Sequence, residues 1–328
     1  MIQKKKMITA SILTLFLFVL PLFISKDYIL SILCMLFLYI TLSQSWNILG
    51  GYTGQVNVGQ AAFFGIGALV ARLLWIAGMP FYLAIVAGGL GSVLLSVIIG
   101  LPALRLKGHY FAIGTLAVAW IAQITVGNML PGISFLPAQY MATYGLVSRY
   151  YVFLIVMVGA LATIYFTVHS RIGLGMEATR DDEEAAQTVG VNIFKYKVIA
   201  FMLSSFFAGL AGGGFAYFHA SFYWHLPFGL MWCFEPILIA FIGGVGSFIG
   251  PIVGSVCYVL LKEIFALTLG EMNVLIFGIV FILTILFFPK GIIGLPSKIR
   301  ELFRKGREPL LATEVAEDKS KSQGGSSL

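Results

Sequence analysis

SRIGLGMEATRDDEEAAQTVGVNIFKYK, residues 170–197, is the long charged stretch between hydrophobic runs in this chain. Nine of its residues are Asp, Glu, Lys or Arg, against a charged fraction of 11% for the whole protein. Charge is concentrated where a soluble partner can read it, so the runs on either side have to be placed first. A chain that is 59% hydrophobic and carries 28 Phe cannot hide its apolar surface in a soluble core. It is read as an integral membrane protein. Its net charge of +7 does not point to nucleic acid, because the basic residues sit at the ends of apolar runs.

A hydrocarbon core about 30 Å thick needs about 20 helical residues. That criterion parses the chain into ten candidate spans, at 7–25, 28–49, 55–78, 81–101, 109–129, 150–169, 197–218, 234–249, 251–269 and 272–288. The segment 234–269 also reads as a broken or re-entrant element, because Pro251 falls between its two halves. The basic, then apolar N-terminus lacks a small-residue cleavage site and is read as a retained first span. Ten spans put residues 1–6, 102–108, 170–196 and 289–328 on one side of the membrane. Of 21 Lys and Arg, only Lys26, Arg72, Arg149 and Lys262 then fall elsewhere. The positive-inside rule makes that side the cytoplasm, with both termini in it. Residues 1–308 are expected to form the membrane domain, and 309–328, polar and rich in Ser and Gly, a disordered cytoplasmic tail.

Four motifs stand out. WNILGGYTGQVNVGQAAFFGIGA, residues 46–68, clusters glycines with Thr53, Gln55, Asn57 and Gln60, as expected of a kinked or unwound stretch. Gly50, Gly51, Thr53, Gly54, Gln55, Asn57, Gly59 and Gln60 are candidates either for a close-packing face or for the wall of a path suited to a neutral or zwitterionic solute. In GGVGSFIGPIVG, Gly243, Gly244, Gly246, Gly250 and Pro251 mark a second helix break, where Pro251 is expected to bend the chain. LRLKGHYFAIGTLA, residues 104–117, places Arg105 and Lys107 as topology anchors before a span.

Within 170–197, Thr179 with Asp182 resembles a capping box, acids at 181–184 suit a helix start, and Gly190 is a natural stop. A helix of about two turns is expected near Asp181 to Val189. Ala185, Ala186 and Val189 give it an apolar side and Arg180 and the acids a charged one, which suits docking to a partner or, more simply, a solvated connection.

The chain has no GxxxxGK[ST] and no Gly-Lys pair, so it has no Walker-type ATP site. Ionisable residues within spans are few: Arg72, Glu235, Lys262 and Glu263. Ion-coupled carriers and membrane enzymes usually need more. Cys34, Cys233 and Cys257 are single and apolar in setting, and the four His form no metal-ligand pattern. No metal or cofactor is expected.

With these residues in hand, the chain resembles the permeases of branched-chain amino acid ABC importers, specifically the LivM-type subunit. The resemblance covers roughly residues 40–295. It rests on GGYTGQVNVGQAAFFGIGA, LRLKGHYFAIGTLA, RDDEEAAQTVGVNIFKYKVIAFMLSSFFAGLAGG and IGGVGSFIGPIVG in the family's order. It implies an all-α bundle of ten helices of the vitamin B12-importer type (type II ABC importer), with a cytoplasmic coupling helix between helices six and seven. It also implies a bacterial inner-membrane location and several partners: a second, LivH-type permease, two ATPase subunits and an extracytoplasmic solute-binding protein. Energy would enter through Arg180, Asp181, Asp182, Glu183, Glu184, Ala185, Ala186 and Gly190. Trp120 stands where the family often has Glu, and GNMLPGISFLPAQ replaces a TGG-containing outer loop. The cargo therefore stays open between branched-chain amino acids and urea or short amides, with an ion-coupled amino acid carrier as the competing class.

Overall fold

The structure is a computed structural model that describes residues 12, 14–23, 26–106, 108–269, 278–279 and 291–294. Within these, the main helices are α1 (Asp27–Gly50), α2 (Gln60–Ile76), α3 (Phe81–Ala103), α4 (His109–Met129) and α5 (Leu146–Val168). Two short helices follow, α6 (Arg171–Asp181) and α7 (Glu183–Thr188), then α8 (Ile193–Phe218), α9 (Met231–Gly243) and α10 (Gly250–Leu269). The described strands are β1 (Ile133–Phe135) and β2 (Ser221–Tyr223), paired antiparallel with Ser134 opposite Phe222.

Among the described residues five helices are long and apolar enough to cross a membrane: α1, α3 over Phe81–Gly100, α4, α5 and α8. α2 and α9 are apolar but shorter. Of the expected first span, residues 14–19 are helical and Leu20–Leu22 form a 3-10 turn. Lys107, the tail at 309–328 and nearly all of the expected span at 272–288 lie outside the described residues.

Packing follows from side-chain size. From Phe37 to Gly50, α1 is buried at every position, enclosed by α5, α8, α9 and α10. α2, α3 and α8 come together through small residues. A Cβ on Gly67 would overlap Gly209, and one on Gly212 would overlap the Phe64 carbonyl. Backbones that approach this closely replace the hydrophobic driving force that lipid does not supply. The Ser92 hydroxyl closes the contact by donating to the Phe63 carbonyl at 2.7 Å.

α4 is different. Its buried residues are Phe111, Thr115, Ala119 and Val126, one face of the helix, while Ile113, Trp120, Ile121 and Ile124 are exposed.

The structure corrects three sequence expectations. The span expected from 55 starts at Gln60, because residues 51–59 are not helical. The bend expected at Pro251 lies before it: Gly244 and Gly246 take φ of +122° and +76°, a region that favours glycine, and the chain re-enters a helix at Gly250. Pro251 sits in that helix's first turn, where its missing N–H is no loss. The helix expected near 181–189 runs only over Glu183–Thr188, and a further helix, Arg171–Asp181, precedes it and meets it at Asp182, where the backbone is extended.

Candidate functional site

Asp182, not Thr179, caps α7. Its Oδ1 accepts from the Glu184 and Ala185 amides at 2.9 and 3.0 Å, whereas the Thr179 hydroxyl bonds back to the Gly175 carbonyl inside α6. At the other end Gly190, with φ +85°, lets the Gly190 and Val191 amides reach the Gln187 and Ala186 carbonyls, a Schellman stop. Asp181, Asp182, Glu184, Ala185 and Gly190 are exposed. Of the expected apolar side, Ala186 turns inward and is buried, while Val189 is 79% exposed. The outer face of α7 is thus a run of acids beside one free valine.

The residues flanking this hinge are tied inward. The Glu183 carboxylate receives the Lys197 ammonium of α8 at 2.6 Å and lies 3.4 Å from the Gln55 amide. Arg180 Nη1 donates to the Gly51 carbonyl at 2.9 Å, and a Cβ on Gly246 would overlap that guanidinium.

Gly51 and Gln55 belong to the interruption at 51–59, and Gly246 to the one at 244–249. The two interruptions meet. Asn47 on α1 donates to the Ser247 carbonyl at 3.0 Å and accepts from the Gly246 amide at 2.9 Å. One turn earlier the Gln44 amide donates to the Phe248 carbonyl. Ser247 then caps α10 through Gly250 N at 3.0 Å, while Gly243 packs against the Gly250 carbonyl.

The polar residues of the first interruption serve one another. Trp46 Nε1 donates to the Asn57 carbonyl, Asn57 Nδ2 to Gln60 Oε1 and Gln60 Nε2 to the Ser45 hydroxyl, at 2.7, 2.9 and 2.8 Å. The Thr53 hydroxyl bonds the Leu49 carbonyl, and Gly50 lies under the Trp46 ring. Gly54, with φ +73°, lies against Arg180, and Gly59 lies against the Thr115 carbonyl of α4, whose hydroxyl accepts from Val58 N at 3.2 Å. Gln44, Ser45, Asn47 and Lys197 escaped the sequence reading. The signal for the first three was the polar run SQSWN at 43–47 inside an otherwise apolar helix.

The ionisable residues within the spans are also paired. Arg72, fully buried, donates to the Ser134 hydroxyl at 2.8 Å and the Ala220 carbonyl at 2.6 Å, with further bonds to the carbonyls of Ala216, His219 and Ser134. It fastens the β1–β2 pair over the end of α8, where a cation suits the helix dipole. Nearby, burial and then the charges of Arg149 and Arg72 push the His219 imidazole down to about 4, so it is neutral. Glu235 on α9 accepts from Tyr258 at 2.6 Å, Lys262 at 2.8 Å and Tyr39 at 3.0 Å, which joins α9, α10 and α1. No group of acids, His or Cys among the described residues could hold a metal ion.

Comparison with known proteins gives one family. The family described as "Branched-chain amino acid transport system / permease component" matches residues 28–285. The high-affinity branched-chain amino acid transport system permease protein LivM of Salmonella typhimurium is 27% identical over 306 residues, 83% of this chain and 71% of that protein. Its Escherichia coli counterpart is 27% identical over 78% of this chain and 68% of that protein. A probable LivM of Methanocaldococcus jannaschii is 22% identical over 82% of this chain and 94% of that protein. Among solved structures, PsaBC from Streptococcus pneumoniae in complex with Fab aligns with a TM-score of 0.49 and 14% identity, covering 83% of this chain and 96% of that one.

Proposed function

Because the chain belongs to the permease-component family of branched-chain amino acid transport systems, we propose that it forms part of the translocation path of an ATP-driven importer of hydrophobic amino acids. It works with a second permease, two ATPase subunits and an extracytoplasmic binding protein, in a ten-helix, type II importer arrangement in the bacterial inner membrane with both termini in the cytoplasm. The observation that carries this reading is the α6–α7 segment. Asp181, Asp182, Glu184 and Val189 are exposed, while Arg180 holds the segment to Gly51 and Glu183 holds it to α8. A surface built this way can be pushed by a soluble subunit and pass the push inward. The span residues favour this over an ion-coupled carrier. Arg72 and Glu235 are saturated by carbonyls, hydroxyls and one lysine, which suits fasteners better than proton carriers.

The test is charge reversal on the outer face at Asp181 and Glu184, which spares the Asp182 cap and the Glu183 pair. Asp181→Lys with Glu184→Lys is expected to insert normally but to lose ATPase binding and leucine uptake. Normal uptake by this variant would overturn the coupling role. Uptake that survives removal of the ATPases while a proton gradient persists would overturn the class.

A further inference from the structure

Residues 51–59 lie between the coupling segment and α4, the helix whose face is most open. At one end, Arg180 Nη1 holds the Gly51 carbonyl at 2.9 Å and Glu183 lies 3.4 Å from Gln55 Nε2. At the other, the Val58 amide donates to the Thr115 hydroxyl at 3.2 Å, and Gly59 lies so close to α4 that a Cβ would overlap the Thr115 carbonyl. Between these ends the segment is braced. Asn57 and Gln60 bond each other, and Trp46 Nε1 holds the Asn57 carbonyl. Asn57, Gln60 and Thr115 are 2% exposed or less, so water cannot replace these bonds at no cost. A short non-helical piece held to protein at Gly51, Thr53, Gln55, Asn57 and Val58 behaves as a strut, not as a slack loop.

We propose that residues 51–59 are the strut that carries displacement of α6–α7 to α4, with Arg180 the positioning residue at its cytoplasmic end and Thr115 the one that hands the movement to α4. This rests on reading α6–α7 as the ATPase-facing segment. It assigns a role to the LRLKGHYFAIGTLA motif, which the topology alone leaves as an anchor. Thr115 touches neither ATPase nor cargo in this account. It acts by keeping α4 in step with the strut, and its hydroxyl also donates to Ala112 O at 3.0 Å, which fixes its rotamer.

The experiment uses the complete importer, with its second permease, ATPases and binding protein, in proteoliposomes with radiolabelled leucine. Thr115→Val keeps shape and removes the acceptor for Val58 N. ATPase association and basal ATP hydrolysis should stay unchanged, while leucine taken up per ATP hydrolysed should fall about fivefold to tenfold, the shift that loss of one buried hydrogen bond supports. Thr115→Ser restores the hydroxyl and should restore the ratio. Arg180→Gln, at the accessible end, should lower the ratio similarly, and the double variant should be no worse than the worse single, as expected of two sites on one element. An unchanged ratio in Thr115→Val, no rescue by Ser, or additive losses would each overturn the strut. Failure of the underlying reading looks different: there, the Asp181→Lys, Glu184→Lys variant would still bind the ATPases.

Discussion

The ion pair between Glu183 and Lys197 should respond unequally to truncation from its two ends. Lys197, on the buried side of α8, has a side chain 5% exposed, and Glu183, on α7, one 38% exposed, with 2.6 Å between Nζ and Oε1. Breaking a buried pair costs about 3–5 kcal/mol because an uncompensated charge stays behind, and breaking an exposed pair about 0.2–1 kcal/mol. Glu183→Ala leaves the buried ammonium without its carboxylate, so its cost should approach the first range, about 2–3 kcal/mol after allowance for the exposed partner. Lys197→Met keeps the buried stem and leaves a carboxylate that water can reach, so it should cost about 0.5–1 kcal/mol. At 1.4 kcal/mol per factor of ten, these correspond to about 30- to 150-fold and about 2- to 5-fold faster opening of α7. Hydrogen exchange at the amides of Ala186, Gly190 and Val191, each bonded within the α7 region, reads this opening directly. If Lys197→Met opened α7 as much as Glu183→Ala, burial would not be what sets the energy of this pair.

Asp182→Ala removes the α7 cap and should speed exchange at Glu184 and Ala185 by about 1 kcal/mol, with the α6 amides unaffected. Gly212→Val drives a branched side chain into the Phe64 carbonyl, so thermal stability in detergent should fall by well over the usual overpacking cost of about 1–3 kcal/mol, against little change for Gly159→Val, which has open space around it. For pH, His219 has its pKa lowered to about 4 from the 6.5 of a free imidazole. The opened form of the β1–β2 pair then binds the proton that the closed form refuses: its stability is full above 6.5 and is lost as pH falls from 6.5 towards 4. Exchange at Ser134 and Phe222, corrected for intrinsic rates, should rise across that window in the native chain but not in His219→Asn.

The glycines of 46–68, interleaved with Thr53, Gln55, Asn57 and Gln60, announced an unwound stretch, because glycine tolerates irregular backbone and the polar groups can bond what it frees. What they could not announce was its partner. The contacts from Gln44 and Asn47 to 246–248 span about two hundred residues of sequence and go to backbone atoms, which leave no mark in side-chain chemistry. The same reason hides the setting of Arg72, whose partners are chiefly carbonyls. The cap of α7 was misplaced by one spacing. Thr179 and Asp182 fit a capping box in sequence, but the hydroxyl of Thr179 lies within α6, and Asp182 itself reaches the free amides of the next turn. A lysine at a span edge, such as Lys197, can either reach water or bury its head in a pair, and sequence alone does not distinguish these.

The two interruptions have one physical origin and therefore one mechanical consequence. Each frees backbone groups that lipid cannot satisfy, at a cost of several kcal/mol for each group left unpaired. Asn47 bonds both the Gly246 amide and the Ser247 carbonyl from the last turn of the helix that leads into the first interruption. Arg180 bonds the Gly51 carbonyl while its guanidinium fills the space above Gly246. Moving either interruption alone would strand polar groups on the other, so the low-cost motion is one in which both shift together. A Cβ at Gly51 would meet Asn47 and then the Gly246 amide, and one at Gly246 would meet the Arg180 guanidinium and then the Gly51 carbonyl. Gly51→Ala, by displacing the Asn47 amide that the Gly246 N–H bonds, should speed exchange at the Gly246 amide, and Gly246→Ala, by displacing Arg180 from the Gly51 carbonyl, should loosen the first interruption, with exchange rising at the Thr53 and Gln55 amides; unchanged exchange across the junction in either variant would overturn the coupling.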